Sequence, residues 1–134
     1  MLSTVWTKVK DVVTRDTVVV PPHTPVRVAA EVMAGHAIGA VVVATDRKVV
    51  GILSERDVVM LLAAGGDPDE ATVARAMSAD VVSVRPDDTL YDAAVDMLDL
   101  GIRHVPVLDE KGALLGMVSV RDLLRPLLTA SLDH

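Results

Sequence analysis

Cysteine and phenylalanine are absent from the 134-residue sequence, and only Trp6 and Tyr91 are aromatic. Without cysteine, disulfide bonds, thiolate metal sites and cysteine nucleophiles are excluded. Two aromatic side chains cannot form a base-stacking platform, and a formal net charge of −6 opposes general binding to phosphate backbones. No nucleic-acid partner is therefore expected, and a nucleic-acid-binding regulator is the weakest of three functions that the sequence leaves open.

Long apolar runs are also lacking. The stretch 58–64 is far too short to cross a membrane, and residues 1–17 carry polar side chains throughout, so neither a membrane span nor a signal peptide is expected. These absences predict a soluble cytoplasmic protein with no membrane partner. Catalysis is not expected either, because no Walker loop, nucleophile elbow, dinucleotide-binding glycine motif or zinc-protease motif occurs. The histidines have no metal-ligand spacing, so no metal site is predicted.

The dominant feature that is present is an internal repeat, because residues 9–58 and 73–123 follow nearly the same pattern. Matched residues lie 64 positions apart at first, and 65 apart after one extra residue near Gly112. The matched pairs include Pro22 and Pro86, Met33 and Met97, Gly51 and Gly116, Ser54 and Ser119, Arg56 and Arg121, and Asp57 and Asp122. Two copies are too few for a solenoid. They indicate instead a pseudo-twofold pair with symmetry-related clefts where the copies meet.

Each copy is predicted to fold in the order β-α-β-β-α, which gives an α/β (α+β) protein. The first helix of each copy is expected to begin after a capping residue, Thr24 or Asp88, and to carry an apolar stripe at helical spacing. The first strands are expected at 17–20 and 81–84, and the paired strands at 40–44 with 49–53 and at 104–108 with 114–118.

The domain boundaries follow from a turn-rich stretch between the copies. Gly65-Gly66 is expected to end a helix and Asp67-Pro68 to turn the chain. The predicted domains are repeat 1 at 8–64, a connector at 65–72 and repeat 2 at 73–128. A short helix at 73–77 is expected to lead into the second copy, and residues 5–13 are the matching piece in the first.

The junction between the last strand and the last helix of each copy carries the most chemistry, with Gly-Ile-Leu-Ser-Glu-Arg-Asp at 51–57 and Gly-Met-Val-Ser-Val-Arg-Asp at 116–122. A serine three residues before an aspartate resembles a capping box, which would be purely structural. The same geometry suits a ligand, because a helix N-terminus, a hydroxyl and an arginine can bind phosphate, whereas a carboxylate suits a vicinal diol. Capping does not explain Arg56 and Arg121. The repeated set therefore favours a ribose-phosphate site.

The element order, the duplication and the signature Gly-x-hydrophobic-Ser-x-x-Asp together resemble the cystathionine-β-synthase (CBS) domain. The segment 102–107 (Ile-Arg-His-Val-Pro-Val) is similar to the family's second-strand motif, and 35–43 to its variant form. Over about residues 8–128 the chain resembles a stand-alone CBS pair, or Bateman module. The resemblance implies a regulatory protein that needs no cofactor and senses an adenosine ligand in clefts between the repeats. AMP, ADP or ATP is expected, with NAD or S-adenosylmethionine also possible.

The resemblance also implies roles for particular residues. The carboxylates that match those holding ribose hydroxyls are Asp57 and Asp122. The side chains expected to contact phosphate are Ser54, Ser119, Arg56, Arg121, Arg103 and His104, of which Arg56 and Arg121 rest on the electrostatic argument alone. The residues near the first strands, where the family commonly holds adenine, are Val18, Val19, Val20, Val82 and Val84.

The two copies differ at one place that bears on affinity. Copy two has Arg103-His104 where copy one has Gly39-Ala40, so phosphate is expected to bind more tightly in the cleft that uses the charged pair. The main alternative function is a module that only dimerises and docks an unknown regulated protein, with vestigial clefts. Apolar helical faces predict a homodimer.

Overall fold

The computed structural model describes residues 7–13, 17–46 and 48–132. The elements in chain order are a short 3-10 helix (Val9–Asp11), strand β1 (Val19–Val20), helix α1 (Val26–His36), strands β2 (Ala40–Thr45) and β3 (Lys48–Ser54), helices α2 (Glu55–Ala63), α3 (Val73–Ala76) and α4 (Leu90–Leu100), strands β4 (His104–Leu108) and β5 (Leu114–Ser119), and helix α5 (Val120–Leu132). This order confirms the predicted α+β fold class. Within the described residues, no helix has both the length and the apolar character that crossing a membrane requires.

The chain forms two compact units, and these do not coincide with the two sequence repeats. The first unit is the continuous stretch Thr17–Val81. The second unit runs from Val82 onward and includes the N-terminal segment, of which residues 7–13 are described. Val5 and Trp6, in the leading piece predicted at 5–13, lie outside the described residues. The stretch 73–77 therefore folds with the first repeat, although the repeat pattern assigned it to the second.

In the second unit, the N-terminal segment is held by backbone hydrogen bonds. The N–H of Leu90 donates to the carbonyl of Thr7 at 2.8 Å, and the N–H of Val9 donates to the carbonyl of Asp88 at 2.8 Å. Val9 is fully buried in the core, and the Lys10 ammonium pairs with the carboxylate of the turn residue Asp87 at 3.1 Å. The segment is thus an integral part of this unit.

In the first unit, the segment around α3 makes the same bonds at matching positions. The N–H of Val26 donates to the carbonyl of Ala71 at 2.9 Å, and that of Val73 to the carbonyl of Thr24 at 2.8 Å. Val73 is fully buried, as Val9 is. Each unit therefore joins the body of one repeat to the leading segment of the other.

The core of the first unit lies between α1 and a three-stranded sheet. β1 runs parallel to β2, and β2 pairs antiparallel with β3. Because the apolar residues of α1 recur every three or four positions, one face of the helix can pack on the sheet. The buried residues of this core are Val20, Val26, Ala29, Met33, Val41, Val43, Leu53, Ala71 and Val73.

The core of the second unit lies between α4, α5 and the antiparallel pair β4–β5. The first strand predicted for this copy, at 81–84, is reduced to a single parallel bridge between Val84 and Val107. In the first unit the N–H of Val42 donates to the carbonyl of Val18 at 3.0 Å. The matching donor in the second unit would be Pro106, which has no N–H. One missing donor therefore explains the shortened strand.

The predicted capping residues of the first helices are wrong by one position. α1 begins after Pro25, which makes no side-chain capping bond, and α4 begins after Thr89, whose hydroxyl accepts from the N–H of Asp92 at 3.1 Å. Asp88 instead closes the preceding turn by accepting from the N–H of Arg85. Thr24 does not cap α1. Its carbonyl instead accepts a hydrogen bond from the N–H of Val73, the first residue of α3.

The two matched helices α1 and α4 end in the same way but with different residues. The residue after α1 is Ala37, with φ of 52°, and the residue after α4 is Gly101, with φ of 67°. Both conformations are left-handed, and in both cases the next N–H returns to the helix, from Ile38 to Met33 and from Ile102 to Met97. Glycine adopts this conformation without steric cost, whereas alanine does not.

Candidate functional site

The junction between β3 and α2 in the first unit forms a complete capping box. The N–H of Ser54 donates to Asp57 Oδ2 at 2.8 Å, and the N–H of Asp57 donates to Ser54 Oγ at 3.2 Å. The Ser54 hydroxyl is also 3.1 Å from the same carboxylate oxygen. The structural interpretation of the motif is therefore confirmed here, and any ligand would meet a serine and an aspartate that are already bonded to each other.

The junction between β5 and α5 in the second unit has the same geometry. The N–H of Ser119 donates to Asp122 Oδ2 at 3.0 Å, and the N–H of Asp122 donates to Ser119 Oγ at 3.2 Å. Within the described residues, each aspartate uses only Oδ2 in hydrogen bonds, and both aspartates are half-buried. The second carboxylate oxygen at each junction is thus available to accept bonds from a ligand.

The arginines of the two signatures lie outside these boxes. Arg56 and Arg121 are exposed in the first turns of α2 and α5, and neither takes part in the capping bonds. Each guanidinium carries a positive charge beside a helix N-terminus, where free N–H groups already favour anions. Each junction therefore carries both donors for an anion and a carboxylate acceptor.

The register of the strand pairs decides which residues share a junction. His104 lies opposite Ser119, and the N–H of Val120 donates to the carbonyl of Arg103 at 2.9 Å. Arg103 and His104 therefore lie at the same end of the second unit as Ser119 and Asp122. Arg103 is exposed and His104 is half-buried. Asp122 is the aspartate that lies in the same unit as Arg103.

The equivalent positions in the first unit carry no cation. Ala40 lies opposite Ser54, and the N–H of Glu55 donates to the carbonyl of Gly39 at 3.0 Å. Glu55 thus takes the place that Val120 has in the second unit. Sequence reasoning did not select Glu55, although aligning the two repeats at the junction would have shown the difference between a carboxylate and an isopropyl group.

The valines proposed near adenine divide into accessible and inaccessible positions. Val20 and Val84 are buried in the two cores, and the backbone N–H and carbonyl of Val84 are both used in bonds to the strand β4. Val19 and Val82 are 45% and 37% exposed, and Val18 is half-buried. Since β1 runs parallel to β2, residues 17–18 lie at the same end of the sheet as Ala40 and Ser54.

A shallow groove in the first unit lies away from this junction. Its lining residues are Leu61, Gly66, Asp67, Glu70, Ala71 and Arg75. They come from the C-terminal half of α2, from the connector and from α3, whereas the signature residues lie at the N-terminus of α2. The groove therefore contributes nothing to the Ser–Asp junction.

A model of the CBS domain matches residues 9–64 and 73–129. The chain belongs to the CBS-domain family. These matches follow the sequence repeats, so each CBS match spans residues from both compact units. Among curated relatives, an uncharacterised 17.7 kDa protein of Acidianus ambivalens is 40% identical over 123 residues, which cover 91% of this chain and 74% of the relative.

Solved structures of CBS-domain proteins have the same fold. The CBS domain protein PAE2072 from Pyrobaculum aerophilum, complexed with AMP, is 26% identical with a TM-score of 0.84, and the match covers 96% of this chain and 100% of that one. The CBS domain pair of protein MJ0100, in complex with 5′-methylthioadenosine and S-adenosyl-L-methionine, is 25% identical with a TM-score of 0.85 and covers 93% and 98%.

Proposed function

We propose that this CBS-domain protein is a regulatory, non-catalytic sensor of adenosine ligands such as AMP, ADP or ATP. The observation that carries the proposal is the occurrence of the Ser–Asp box with an adjacent arginine at both strand–helix junctions. The proposal is supported by two relatives of similar fold, one of which is complexed with AMP and the other with 5′-methylthioadenosine and S-adenosyl-L-methionine.

The proposed roles follow from the chemistry of the junction atoms. The unused oxygens of Asp57 and Asp122 accept hydrogen bonds from the two ribose hydroxyls, because a carboxylate accepts from a diol and repels a phosphate. The exposed guanidiniums of Arg56, Arg121 and Arg103 donate to phosphate oxygens in charge-assisted bonds. Adenine would lie against the accessible residues of the first strands.

Ligand binding is expected to act by stabilising the folded protein. A ligand at about 100 times its dissociation constant adds roughly 2.7 kcal/mol per site to the free energy of unfolding. For a protein of this size that raises the melting temperature by several degrees. The test is thermal unfolding of protein first shown by mass spectrometry to be free of nucleotide, with and without AMP, ADP, ATP, NAD and S-adenosylmethionine.

Substitutions can separate ligand binding from helix capping. Asp57→Asn and Asp122→Asn each keep one side-chain oxygen that can accept the serine N–H, while the other carboxylate oxygen becomes an amide that donates. We expect each to weaken one class of sites at least tenfold by calorimetry. Thr89→Ala is the control, because it removes a helix cap outside the junctions. If Thr89→Ala weakened binding as much as the aspartate substitutions, the assignment of the ribose contacts would be wrong.

A second candidate function is a docking module that dimerises without sensing a ligand. Exposed apolar side chains favour association, since Val59 and Met60 of α2 and Leu98 of α4 are 62%, 60% and 78% exposed. We propose a homodimer, which light scattering would detect as a mass of about 28 kDa, twice 14.2 kDa. Unchanged melting curves with every adenosine ligand would favour docking over sensing. We also expect the protein to act in the cytoplasm.

A further inference from the structure

Met60, in α2, is the only exposed methionine among the residues that the structure describes. Its side chain is 60% exposed. The other described methionines are buried or half-buried, namely Met33, Met77, Met97 and Met117. The chain also has no cysteine that could react in its place. Because the oxidation of a sulfur atom depends on its access to the oxidant, Met60 is the side chain that a peroxide in solution reaches first in this part of the chain.

Met60 lies on an exposed apolar face of its helix. Val59 and Leu62 are 62% and 53% exposed, and none of the nine described residues of α2 is buried. The stretch 58–63 contains six apolar residues in succession and no charged side chain. A contiguous apolar surface of this kind is typical of a contact with another molecule.

The matched helix α5 shows that the fold does not require a methionine at this position. The two strand–helix junctions correspond at a spacing of 65 residues, so the counterpart of Met60 is Arg125. Arg125 is exposed and charged, on a helix that begins with the same serine–aspartate bonds as α2. The apolar side chain of Met60 is therefore explained by something other than the packing of the unit.

A second copy of this chain is the occupant that fits the α2 face. The formal net charge of −6 makes two copies repel each other, so a contact between them is favoured where the surface carries no charge. In an isologous contact the same patch meets itself, and the stretch 58–63 meets itself without bringing like charges together. The exposed face of α4 fails this condition, because the carboxylates of Asp92, Asp96 and Asp99 follow one side of that helix.

We propose that Met60 is a site of reversible oxidation, and that its oxidation by hydrogen peroxide weakens the association of two copies through α2. The inference rests on the homodimer proposed above and does not depend on the adenosine ligand. The Sδ atom attacks one peroxide oxygen, so that an S–O bond forms while the O–O bond breaks. Sulfur is oxidised by two electrons and the peroxide is reduced. The second oxygen leaves as hydroxide and takes the remaining hydroxyl proton, which gives one methionine sulfoxide and one water.

The product places a polar sulfoxide in the apolar contact. Its oxygen is a hydrogen-bond acceptor, and the side chains of 58–63 contain no donor for it. Because an isologous contact contains Met60 twice, two acceptors are buried without partners when the dimer forms. Oxidation therefore disfavours association, whereas the fold, which carries an arginine at the matched position, is preserved. Methionine sulfoxide reductases restore the thioether, so the change is reversible.

The site is tested by treating the protein with hydrogen peroxide and mapping oxidised peptides by mass spectrometry over time. We expect Met60 to be oxidised before Met33, Met77, Met97 and Met117. Its oxidation should be slower at protein concentrations at which light scattering shows a dimer, because the contact then covers the sulfur. Equal rates for Met60 and the buried Met97 would overturn the site. Equal rates for Met60 in monomer and dimer would overturn its place in the contact.

The effect on association is tested by analytical ultracentrifugation before oxidation, after oxidation and after treatment with methionine sulfoxide reductases. The dissociation constant of the dimer should rise about tenfold or more on oxidation and return to its first value on reduction. Met60→Leu keeps the volume and the apolar character, so it should dimerise as the parent does and should not respond to peroxide.

Two further variants separate the α2 contact from other effects of peroxide. Met60→Arg copies the residue of the second unit and should weaken the dimer without any peroxide, while its melting curve verifies folding. In Met60→Leu/Leu98→Met the exposed thioether lies on α4 instead, at a position where the side chain is 78% exposed. Oxidation of this double variant should leave the dimer intact.

The possible failures are distinguishable. If the reduced parent is a monomer at every concentration, the homodimer fails and this inference fails with it, whereas ligand binding is measured separately. If the parent dimerises but its oxidised form keeps the same affinity to within about twofold, only the role of Met60 is overturned. The same conclusion follows if Met60→Leu loses affinity on oxidation as the parent does. If oxidation of Met60→Leu/Leu98→Met dissociates the dimer, the contact lies on α4 and the assignment to α2 is wrong.

Discussion

Gly51, in the strand that leads to Ser54, should be the glycine whose replacement by alanine costs the most stability among those with described surroundings. A Cβ at this position would lie 2.9 Å from Met77 Cγ and 2.9 Å from the carbonyl oxygen of Ser78. Methionine can rotate away, but the Ser78 backbone is fixed by two hydrogen bonds with Ile52, at 2.9 and 3.1 Å. The carbonyl contact therefore cannot be relieved by a side-chain rotation.

Overpacking of this kind typically costs about 1–3 kcal/mol. For a protein of this size, we expect Gly51→Ala to lower the melting temperature by about 4–10 °C. Urea unfolding measures the free energy of unfolding. An unchanged slope of this free energy against urea concentration would show that the parent and the variant expose the same surface area on unfolding. Adding Met77→Ala removes the side-chain contact but leaves the carbonyl contact, so the double variant should not regain the parent stability.

Gly35 provides a matched control, because its replacement by alanine is expected to change the stability in the opposite direction. It lies within α1, and a Cβ there would have no atom within 4 Å. Gly35→Ala should stabilise the protein by up to about 1 kcal/mol, because alanine loses less backbone entropy on entering a helix. The reasoning is refuted if Gly51→Ala loses less than about 0.5 kcal/mol, or if the two substitutions change stability equally.

Three other substitutions test the fold by thermal or urea unfolding. Ala37→Gly should stabilise by about 0.5–1 kcal/mol and Gly101→Ala should destabilise by a similar amount, because both positions are left-handed; equal signs would contradict this. Ser54→Ala should cost about 1 kcal/mol through loss of the helix cap, and an unchanged midpoint would show that the box adds no stability. Val9→Ala should cost about 1–3 kcal/mol because Val9 is fully buried, whereas Val59→Ala, at a 62% exposed side chain, should stay within about 0.5 kcal/mol.

The features that could be predicted from the sequence are those fixed by short-range patterns. The apolar spacing in α1 and α4 predicts their buried faces, because the residues that meet the core recur within one helical turn. The Ser54–Asp57 box is similarly local, since a residue and its partner three positions later are brought together by the helix itself. These predictions need no knowledge of the rest of the chain.

The exchange of leading segments could not be predicted in this way. Val9 and Val73 occupy matching positions and make matching hydrogen bonds, so either could in principle complete either repeat with the same local bonds. Only the path of the whole chain distinguishes the two arrangements. The lost strand at 81–84 has a similar cause, because the missing N–H of Pro106 matters only once its register opposite that segment is known.

The charge difference at the junctions was partly visible in the sequence. Arg103 and His104 stood out because a family motif drew attention to them, whereas Glu55 lies inside a signature at a variable position. The strand register shows that Glu55 occupies the position next to Gly39 that Val120 occupies next to Arg103, so a carboxylate in one unit corresponds to an apolar side chain in the other. A sequence motif identifies which residues recur, but it does not identify which variable neighbours face the same site.

The division of the chain into one continuous and one discontinuous unit has a consequence for synthesis on the ribosome. Every residue of the first unit has been made once Val81 leaves the exit tunnel, so this unit can fold while the chain is still growing. The second unit forms later, because its N-terminal segment must wait for the strands and helices that follow residue 82. At about 5–20 residues per second, synthesis from Val9 to Leu123, which lies in the same core, takes roughly 6–23 s. During this interval Val9, which is fully buried in the folded protein, lacks the core that covers it, so slower elongation prolongs the exposure of its side chain.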